Sequence, residues 1–397
     1  MKIDLEYPAN IHEKTQDFPL APESSKVTAE MLTPYMKELW TSRCELRGQN
    51  DTFKTEKKLL MTCHNKEEYV VHFKLLKFYL QMGMRITRTH AVIKYKQATI
   101  FKRYIDENSR KRQLAQNDFE KDLYKLLNNA LFGKTMENVR GRKDYKLRNS
   151  EESVLKDASK PHFIRIHRFT ENLVLNEMIN LEVKLNKPIF IGQAVLDLSK
   201  LIMYDLRYRK FPRYEQEFGG TITVIGGDTD SLFCKISNID MYNQLHPAMA
   251  RDGLLDASNF PRTHAQFSNR YKAVLGCIKD ELSGAVVKEA VLLKPKCYSM
   301  KTVAGLEKKT AKGVQYCVRQ AITHEKYLEV YQRQLELVRN VRRFSTHNHV
   351  VSTIQQTKWA LSCTDTKRAW TSANYSLPYG HFSLEDDETP ARRARVD

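Results

Sequence analysis

The chain has 397 residues, and its 65 lysine and arginine residues exceed its 47 aspartate and glutamate residues, giving a formal net charge of +18. No apolar run reaches the roughly 18 residues of a membrane-spanning helix, no signal peptide begins the chain, and the seven cysteines are widely spaced without a CxxC pair. Composition therefore argues against a membrane protein or a disulfide framework and favours an intracellular protein that binds a polyanion such as nucleic acid. His347 and His349 have no cysteine pair nearby and are interpreted as a surface pair, not a metal site.

Hydrophobic spacing predicts most elements in chain order. The first half is expected to contain a short helix over 31–39, a helix over 66–80, a strand over 86–95 and a long helical region over 109–137. Residues 141–160 are polar and predict an insertion loop, while the pattern over 163–185 fits both strand and helix. Then follow a helix with small residues over 190–206, a hairpin, a helix over 261–274, two strands over 286–300 and a helix over 323–339. The charged tail from residue 383 is predicted to be disordered.

The most informative segment is Gly226-Gly227-Asp228-Thr229-Asp230-Ser231, which follows a β-branched, apolar stretch and precedes a second stretch that resembles a strand. The stretches 221–225 and 232–236 are predicted to be paired strands, and the glycine pair is expected to supply the tight turn. Residues i and i+2 of an extended segment point to the same side, so Asp228 and Asp230 are predicted to converge on one hard cation such as Mg²⁺. The alternative is a solvated, aspartate-rich turn without a ligand.

A second group of candidate side chains lies on the helix predicted around residue 125, within about an 80° arc of its surface. These residues are Lys121, Lys125, Asn129 and Phe132. Asn117 or Asp118 is the predicted N-cap, and Gly133 would let another chain or a base pair approach the helix backbone. A triphosphate would offset the repulsion between two lysines one turn apart, and Phe132 would stack on its base. The alternative is an amphipathic helix whose lysines face solvent.

A third candidate is the segment Lys296-Cys297-Tyr298. A lysine and a tyrosine at i and i+2 of a strand project to one side, where they would meet a sugar-phosphate backbone. Taken alone, this pattern is common and weakly informative.

Together and in this order, the three segments resemble motifs of family B DNA polymerases. Residues 125–134 resemble the fingers motif K-x-x-x-N-S-x-Y-G, with Ala130 in place of Ser and Phe132 in place of Tyr. Residues 226–231 resemble the palm motif Y-x-D-T-D-S, with glycine in place of Tyr, and 296–298 is similar to the primer-strand motif K-x-Y. Four flanking segments resemble the protein-primed branch of the family, which occurs in viruses, organellar plasmids and Polinton/Maverick-type transposons. These segments are residues 117–124, 133–140, 198–204 and 378–381.

The resemblance implies a role for each matching residue. Asp230 would be the main Mg²⁺ ligand and Asp228 its accessory, in a site that holds two Mg²⁺ ions in the complete enzyme. Lys125 would bind the incoming dNTP. Asn129 and Phe132 would line the base-pair pocket, and Lys121 would contact phosphate or template. Lys296 and Tyr298 would hold the primer end, and Lys134 and Thr229 would contact DNA. The implied reaction is attack of a primer 3′-hydroxyl on the α-phosphate of a dNTP. Implied partners are a DNA primer-template, dNTP and a terminal priming protein, at a nuclear or viral replication site.

The implied architecture is α+β, with a palm built on an antiparallel sheet, helical fingers and a small, mostly helical thumb. The predicted divisions are a palm segment and insertion over 1–107, fingers helices over 108–140, an insertion loop over 141–188, the palm with both the aspartate hairpin and the K-x-Y strand over 189–300, a thumb over 301–382 and the disordered tail over 383–397.

Two parts of such a polymerase are expected to be missing. The palm motif D-x-x-S-L-Y-P should lie upstream, and Asp4 to Pro8 has the wrong spacing for it; no 3′–5′ exonuclease domain is found either. We therefore expect a C-terminal polymerase part with low activity, because its carboxylates come from one hairpin. The alternative is a non-catalytic DNA-binding remnant of a transposon or viral polymerase. A metal-dependent phosphohydrolase is disfavoured because no third carboxylate or histidine cluster accompanies the hairpin.

Overall fold

The computed structural model describes residues 1–47, 53, 56–228, 230–347 and 349–386. Its strands form antiparallel sheets of two or three, and its apolar side chains gather in four buried clusters. The predicted α+β class is confirmed. Among the described helices, none combines the length and the apolar character needed to cross a bilayer.

The N-terminal region combines a three-stranded sheet, a two-stranded ribbon and three helices. Its elements are β1 (Lys2–Glu6), α1 (His12–Thr15), β2 (Glu23–Ser25), α2 (Pro34–Arg47), β3 (Lys58–Leu60), β4 (Lys66–Val70), α3 (Phe73–Met82) and β5 (Arg85–Ala91). Strand β1 lies between β4 and β5. The helix predicted over 66–80 is instead a strand followed by a helix, because the His72 side chain caps α3 by accepting the Lys74 N–H at 3.3 Å. Pro34 begins α2, a position where proline loses no helical hydrogen bond.

The next region contains two helices and a small folded unit. The predicted helical region over 109–137 is a pair, α4 (Lys102–Leu114) and α5 (Asp118–Thr135). We call the following segment, residues 143–179, the insertion unit. It contains β6 (Lys143–Arg148), α6 (Glu151–Ala158), β7 (Phe163–Thr170) and β8 (Leu173–Ile179), with β8 in the middle of the sheet.

The prediction of a loop over 141–160 is therefore wrong, because the charges of this polar sequence pair with each other. Buried Asp157 of α6 accepts Arg148 Nε at 2.7 Å and Lys160 Nζ at 2.6 Å. These hydrogen bonds hold the pKa of the Asp157 carboxyl well below its usual range, Arg148 having the largest effect. Met178 of β8 is also fully buried in this unit.

The central region carries the predicted hairpin. Its elements are α7 (Ile189–Asp205), a π-helical turn (Leu206–Lys210), α8 (Phe211–Phe218), β9 (Thr221–Asp228), β10 (Ser231–Ser237), a second π-helical turn (Met241–Leu245) and α9 (His246–Arg251). The predicted helix over 190–206 and the hairpin are confirmed. Within the described part of the chain, β9 and β10 pair only with each other, so the larger palm sheet expected around them is not observed.

The helix predicted over 261–274 is also wrong. This segment forms separate turns, and Ala273, with a φ of 55°, has a left-handed backbone that cannot continue a helix. The Ala273 N–H is bound by the Asp256 carboxylate at 2.8 Å instead of by a helical carbonyl.

The C-terminal region is mainly β-structure, so the prediction of a mostly helical thumb is wrong. Its elements are β11 (Val287–Lys294), β12 (Cys297–Thr302), β13 (Glu307–Ala311), α10 (Tyr316–Gln320), α11 (His324–Gln332), β14 (Glu336–His347), β15 (Val350–Ser362), β16 (Ala369–Ser372), β17 (Tyr375–Leu377) and α12 (Phe382–Asp386). The two strands predicted over 286–300 are confirmed. The helix predicted over 323–339 ends at Gln332, and β14 pairs with β15 in a long hairpin. Helix α12 covers the start of the predicted disordered tail, and residues 387–397 lie outside the described residues.

Candidate functional site

The β9–β10 hairpin positions both candidate aspartates at its tip. Asp228 is the last residue of β9 and pairs with Ser231, the first residue of β10. The Asp228 carbonyl accepts the Asp230 N–H at 2.7 Å and the Ser231 hydroxyl at 3.1 Å, which stiffens the turn. Asp230 is exposed and lies in the turn, not on a strand as the i, i+2 argument assumed. Thr229, a predicted DNA contact, lies outside the described residues.

The glycines have a different role from the predicted one. Gly226 and Gly227 lie within β9, not in the turn. A Cβ on Gly227 would come within 2.9 Å of the Ser231 carbonyl oxygen, and one on Gly226 would lie 3.5 Å from Leu292 and from Phe233. The close approach of the Ser231 backbone therefore favours glycine at 227, whereas 3.5 Å is an ordinary contact distance and leaves room for a Cβ at 226.

Lys296 brings the K-x-Y motif to the aspartate hairpin. Its Nζ lies 3.1 Å from Asp228 Oδ1, and the two side chains are 41% and 21% exposed. Lys296 follows Pro295 in the turn between β11 and β12 and has a left-handed φ of 63°. The prediction that Lys296 lies on a strand is wrong, since proline and a left-handed residue in sequence are typical of a type II turn. Two motifs separated by some seventy residues in sequence nevertheless meet.

Tyr298 makes the second contact between these hairpins. It lies on β12, and its ring meets that of Phe233 on β10 edge-on, with centroids 4.7 Å apart and planes at 61°. Aromatic pairs of this geometry contribute about 0.5–1.5 kcal/mol beyond the burial of their surface. The ring pair is therefore a second link between the two hairpins, beside the ion pair of Lys296 with Asp228.

The helix α5 carries the predicted nucleotide-binding residues. Lys121, Lys125 and Asn129 are exposed, and Phe132 is half-buried. The predicted cap is confirmed, because the Asn117 side chain accepts the Glu120 N–H at 2.9 Å. Lys121 forms an ion pair with Asp118 at 2.9 Å.

The C-terminal end of α5 is held by a charge network around Glu137. Lys134, a predicted DNA contact, lies 2.8 Å from Glu137, which also pairs with Arg142 at 2.7 Å and Lys187 at 3.3 Å. Hydrogen bonds from Lys134 and then Arg142 lower the pKa of the Glu137 carboxyl to about 2. A methyl group on Gly133 would meet no atom within 4 Å, so the backbone there is open to a ligand.

Two sets of contacts connect the α4–α5 pair to the region that carries the β9–β10 hairpin. At the C-terminal end of α5, Thr135 and Met136 pack tightly against buried Gly192 of α7. A Cβ on Gly192 would clash with Met136 and would lie 2.8 Å from Thr135 Oγ1. At the other end of the helix pair, Gln113 Nε2 donates to the Lys272 carbonyl at 3.0 Å, and Lys272 Nζ donates to the Gln113 carbonyl at 3.1 Å. That Lys125 and Asp230 face each other across a nucleotide-sized cleft stays a prediction.

The donor chemistry of the hairpin fits Mg²⁺ in part. Asp228 and Asp230 supply carboxylate oxygens, the ligands Mg²⁺ prefers, and Mg²⁺ is commonly held by one or two carboxylates together with substrate phosphates. No third acidic or histidine side chain joins these two among the described residues. Asp4, from the segment with the wrong spacing for the upstream motif, instead accepts the Glu68 N–H and meets His90, both at 2.7 Å.

The sequence analysis missed one cluster. His349, interpreted there as part of a surface pair, meets His167 and Glu177 of the insertion unit in a group whose ligand atoms lie within 4.8 Å of one another. No spacing rule could identify it, because the three residues come from strands and a turn that meet only in the fold.

Comparison with protein families identifies a match. A family model described as DNA polymerase type B, organellar and viral, matches residues 6–209, just over half of the chain. The match includes α5 and ends before β9, so it covers Lys125 but neither Asp228 nor Lys296. No curated protein and no solved structure matches the chain.

Proposed function

This chain belongs to the organellar and viral type B DNA polymerases, and from that premise we propose that the β9–β10 hairpin and Lys296 form its DNA-templated nucleotidyl-transfer site. The observation that carries the proposal is the 3.1 Å contact between Lys296 and Asp228. It joins two segments beyond the matched residues that resemble the catalytic and primer-binding motifs of the same family.

Lys296 and Tyr298 would hold the primer end. The Lys296 ammonium neutralises Asp228 and, being partly exposed, can also meet a backbone phosphate. Tyr298 keeps its ring against Phe233, which leaves the phenol hydroxyl for a sugar or phosphate oxygen. These residues would thus place a primer 3′-hydroxyl beside the aspartates.

Asp228 and Asp230 would hold Mg²⁺. The ion would supply positive charge to the oxygens of the reacting phosphate. The protein's own contribution is to hold both carboxylates on a turn stiffened by the Asp228 carbonyl hydrogen bonds. With two acids in place of a larger set, we expect weak metal binding and slow primer extension by this chain.

Helix α5 would bind the nucleotide. Lys125 is exposed and would neutralise the triphosphate, while Asn129 and Phe132 would line the base-pair pocket. Lys121 and Lys134 would contact template or primer phosphates after releasing Asp118 and Glu137 respectively. Thr229 would contact DNA from the hairpin turn. The net charge of +18 supports binding to a primer-template, and the resemblance further suggests a terminal priming protein as partner.

Two assays test this proposal. Binding of a fluorescent primer-template is measured by anisotropy over a range of salt, and extension is measured with Mg²⁺ and dNTPs. Asp230→Asn should abolish the slow extension and leave DNA affinity nearly unchanged. Lys125→Ala should raise the dNTP concentration needed for half-maximal extension by about tenfold or more, as loss of a charge-assisted contact predicts. Lys156→Ala on the exposed side of α6 removes the same charge and should change neither value.

A second candidate function is non-catalytic DNA binding by an inherited polymerase fold. The lack of a third acid beside Asp228 and Asp230 in the described chain favours it. It predicts salt-sensitive DNA binding that survives substitution of both aspartates, with no extension under any condition. Extension that disappears in Asp230→Asn would exclude this alternative, whereas fast extension would contradict our expectation of weak activity.

A further inference from the structure

The tip of the β14–β15 hairpin lies against the insertion unit. The ring of His349 meets that of His167 on β7 edge-on, with centroids 4.5 Å apart and planes at 78°. Tyr145 of β6 also contacts it, with centroids 5.4 Å apart. His349 therefore joins two parts of the chain that are distant in sequence.

A carboxylate completes the cluster. Glu177 Oε2 lies 3.2 Å from His167 Nε2 across the β7–β8 pair. His167 and Glu177 are buried, His349 is exposed, and one ligand atom from each lies within 4.8 Å of the other two. Over the described ranges, with their gaps at 48–52, 54–55, 229 and 348, no other group of three such side chains is this close.

We propose that His167, Glu177 and His349 bind one Zn²⁺ ion, which fastens the β14–β15 hairpin to the insertion unit. Two imidazoles and a carboxylate are a ligand set that zinc accepts, with water in the fourth position. Zinc bonds of about 2.0–2.2 Å place tetrahedral ligand atoms about 3.3 Å apart. His167 Nε2 and Glu177 Oε2 already lie 3.2 Å apart, so zinc binding requires a movement of the exposed His349 ring, whose ligand atom lies within 4.8 Å of both.

The backbone at His349 fits this role. Its φ of 66° is left-handed, a conformation that histidine adopts several times more often than most residues with a Cβ. His349 lies in the turn between β14 and β15, and this turn places its ring beside His167 of β7. Glu177, the third donor, lies on the neighbouring strand β8.

Arg165 competes with the metal. Its Nε donates to Glu177 Oε2 at 2.7 Å, and Lys143 Nζ lies 4.0 Å from the other carboxylate oxygen. The Arg165 side chain is 56% exposed, so it can move into solvent when zinc binds. Removing this arginine should therefore strengthen zinc binding, which a purely structural His–Glu cluster would not show.

The test uses tag-free, EDTA-treated protein titrated with Zn²⁺ in competition with a chromophoric chelator. The unaltered chain should bind one zinc ion at this site. His349→Ala should weaken binding about tenfold or more, since it removes one of three ligands, and Arg165→Ala should tighten it. The matched control is His347→Ala, which removes a histidine from the same hairpin and should leave affinity unchanged. Absence of zinc binding, or equal affinity in His349→Ala, would overturn the proposal.

Proteolysis tests whether the ion joins the two parts. Arg342 and Arg343 on exposed positions of β14 offer trypsin sites near the hairpin tip. Zn²⁺ should slow their cleavage in the unaltered chain and in His347→Ala but not in His349→Ala. Equal cleavage with and without Zn²⁺ in the unaltered chain would contradict the fastening role.

Discussion

Substitution of Lys296 separates its charge from its backbone conformation. Lys296→Ala and Lys296→Gly both remove the ammonium that lies 3.1 Å from Asp228. The left-handed φ of 63° costs a residue with a Cβ about 1–2 kcal/mol, while glycine adopts it freely but loses about 0.5–1 kcal/mol more in unfolded-state entropy. The free energy of unfolding of the glycine variant should therefore be about 1 kcal/mol higher than that of the alanine variant.

The ion pair itself contributes less than the backbone. Its members are 41% and 21% exposed, and a pair so open to solvent contributes about 0–1 kcal/mol. The stability of Lys296→Gly should thus lie close to that of the unaltered chain, with Lys296→Ala below both. Urea denaturation followed by tryptophan fluorescence measures the three values under one set of conditions.

DNA binding should follow the charge instead. If Lys296 meets one phosphate, each variant should lower the slope of log affinity against log salt by about 0.9 and weaken binding equally. Lys301→Ala on β12 is the matched control, because Lys301 pairs with Glu325 away from the aspartates. Equal stability of the alanine and glycine variants would refute the strain argument. An unchanged salt slope would refute the primer contact.

Three further predictions concern α5 and its supports. The pKa of Glu137 falls from 4.5 to about 2 on folding, so its ion pairs stabilise the fold above pH 4.5 and lose this effect as pH falls towards 2; the stability difference from Glu137→Gln, measured by urea denaturation, should shrink over that range. Gly192→Ala should destabilise the protein by about 1–3 kcal/mol through overpacking. Gly133→Ala, with open space around it, should stabilise α5 by about 1 kcal/mol. Thermal unfolding compares the two variants, and shifts of the same sign and size would contradict this prediction. Asn117→Ala should cost about 1 kcal/mol in the same assay, and Ser150→Ala much less, because Ser150 makes no cap hydrogen bond.

The sequence predicted elements whose signals are local. The β-branched, apolar stretch 221–225 and the mainly apolar stretch 232–236 were sufficient to predict the β9–β10 hairpin, and Asn117 marked the start of α5. Details of the turns were wrong because they depend on neighbours. The closeness of the Ser231 carbonyl explains Gly227, and this contact cannot be predicted from periodicity.

Longer-range features could not be predicted. The insertion unit looked like a loop because its charges suggest solvent, yet Asp157 is buried by partners on β6 and at the end of α6. The family resemblance gave Lys296 and Asp228 separate roles and did not predict their contact, and the contact of His349 with His167 was not expected either. Each depends on how separate elements dock.

The α4–α5 helix pair is attached to the rest of the chain at both ends. The pair can therefore move as a unit only after one of these two contacts is broken. The contact of Gly192 with Met136 and Thr135 is buried and tightly packed, whereas the contact of Gln113 with Lys272 consists of two solvent-exposed hydrogen bonds. The hydrogen bonds between Gln113 and Lys272 should therefore break first, and the helix pair should then rotate about its packed contact with Gly192. Amide hydrogen exchange around residues 113 and 272 should accordingly be faster than around residue 192.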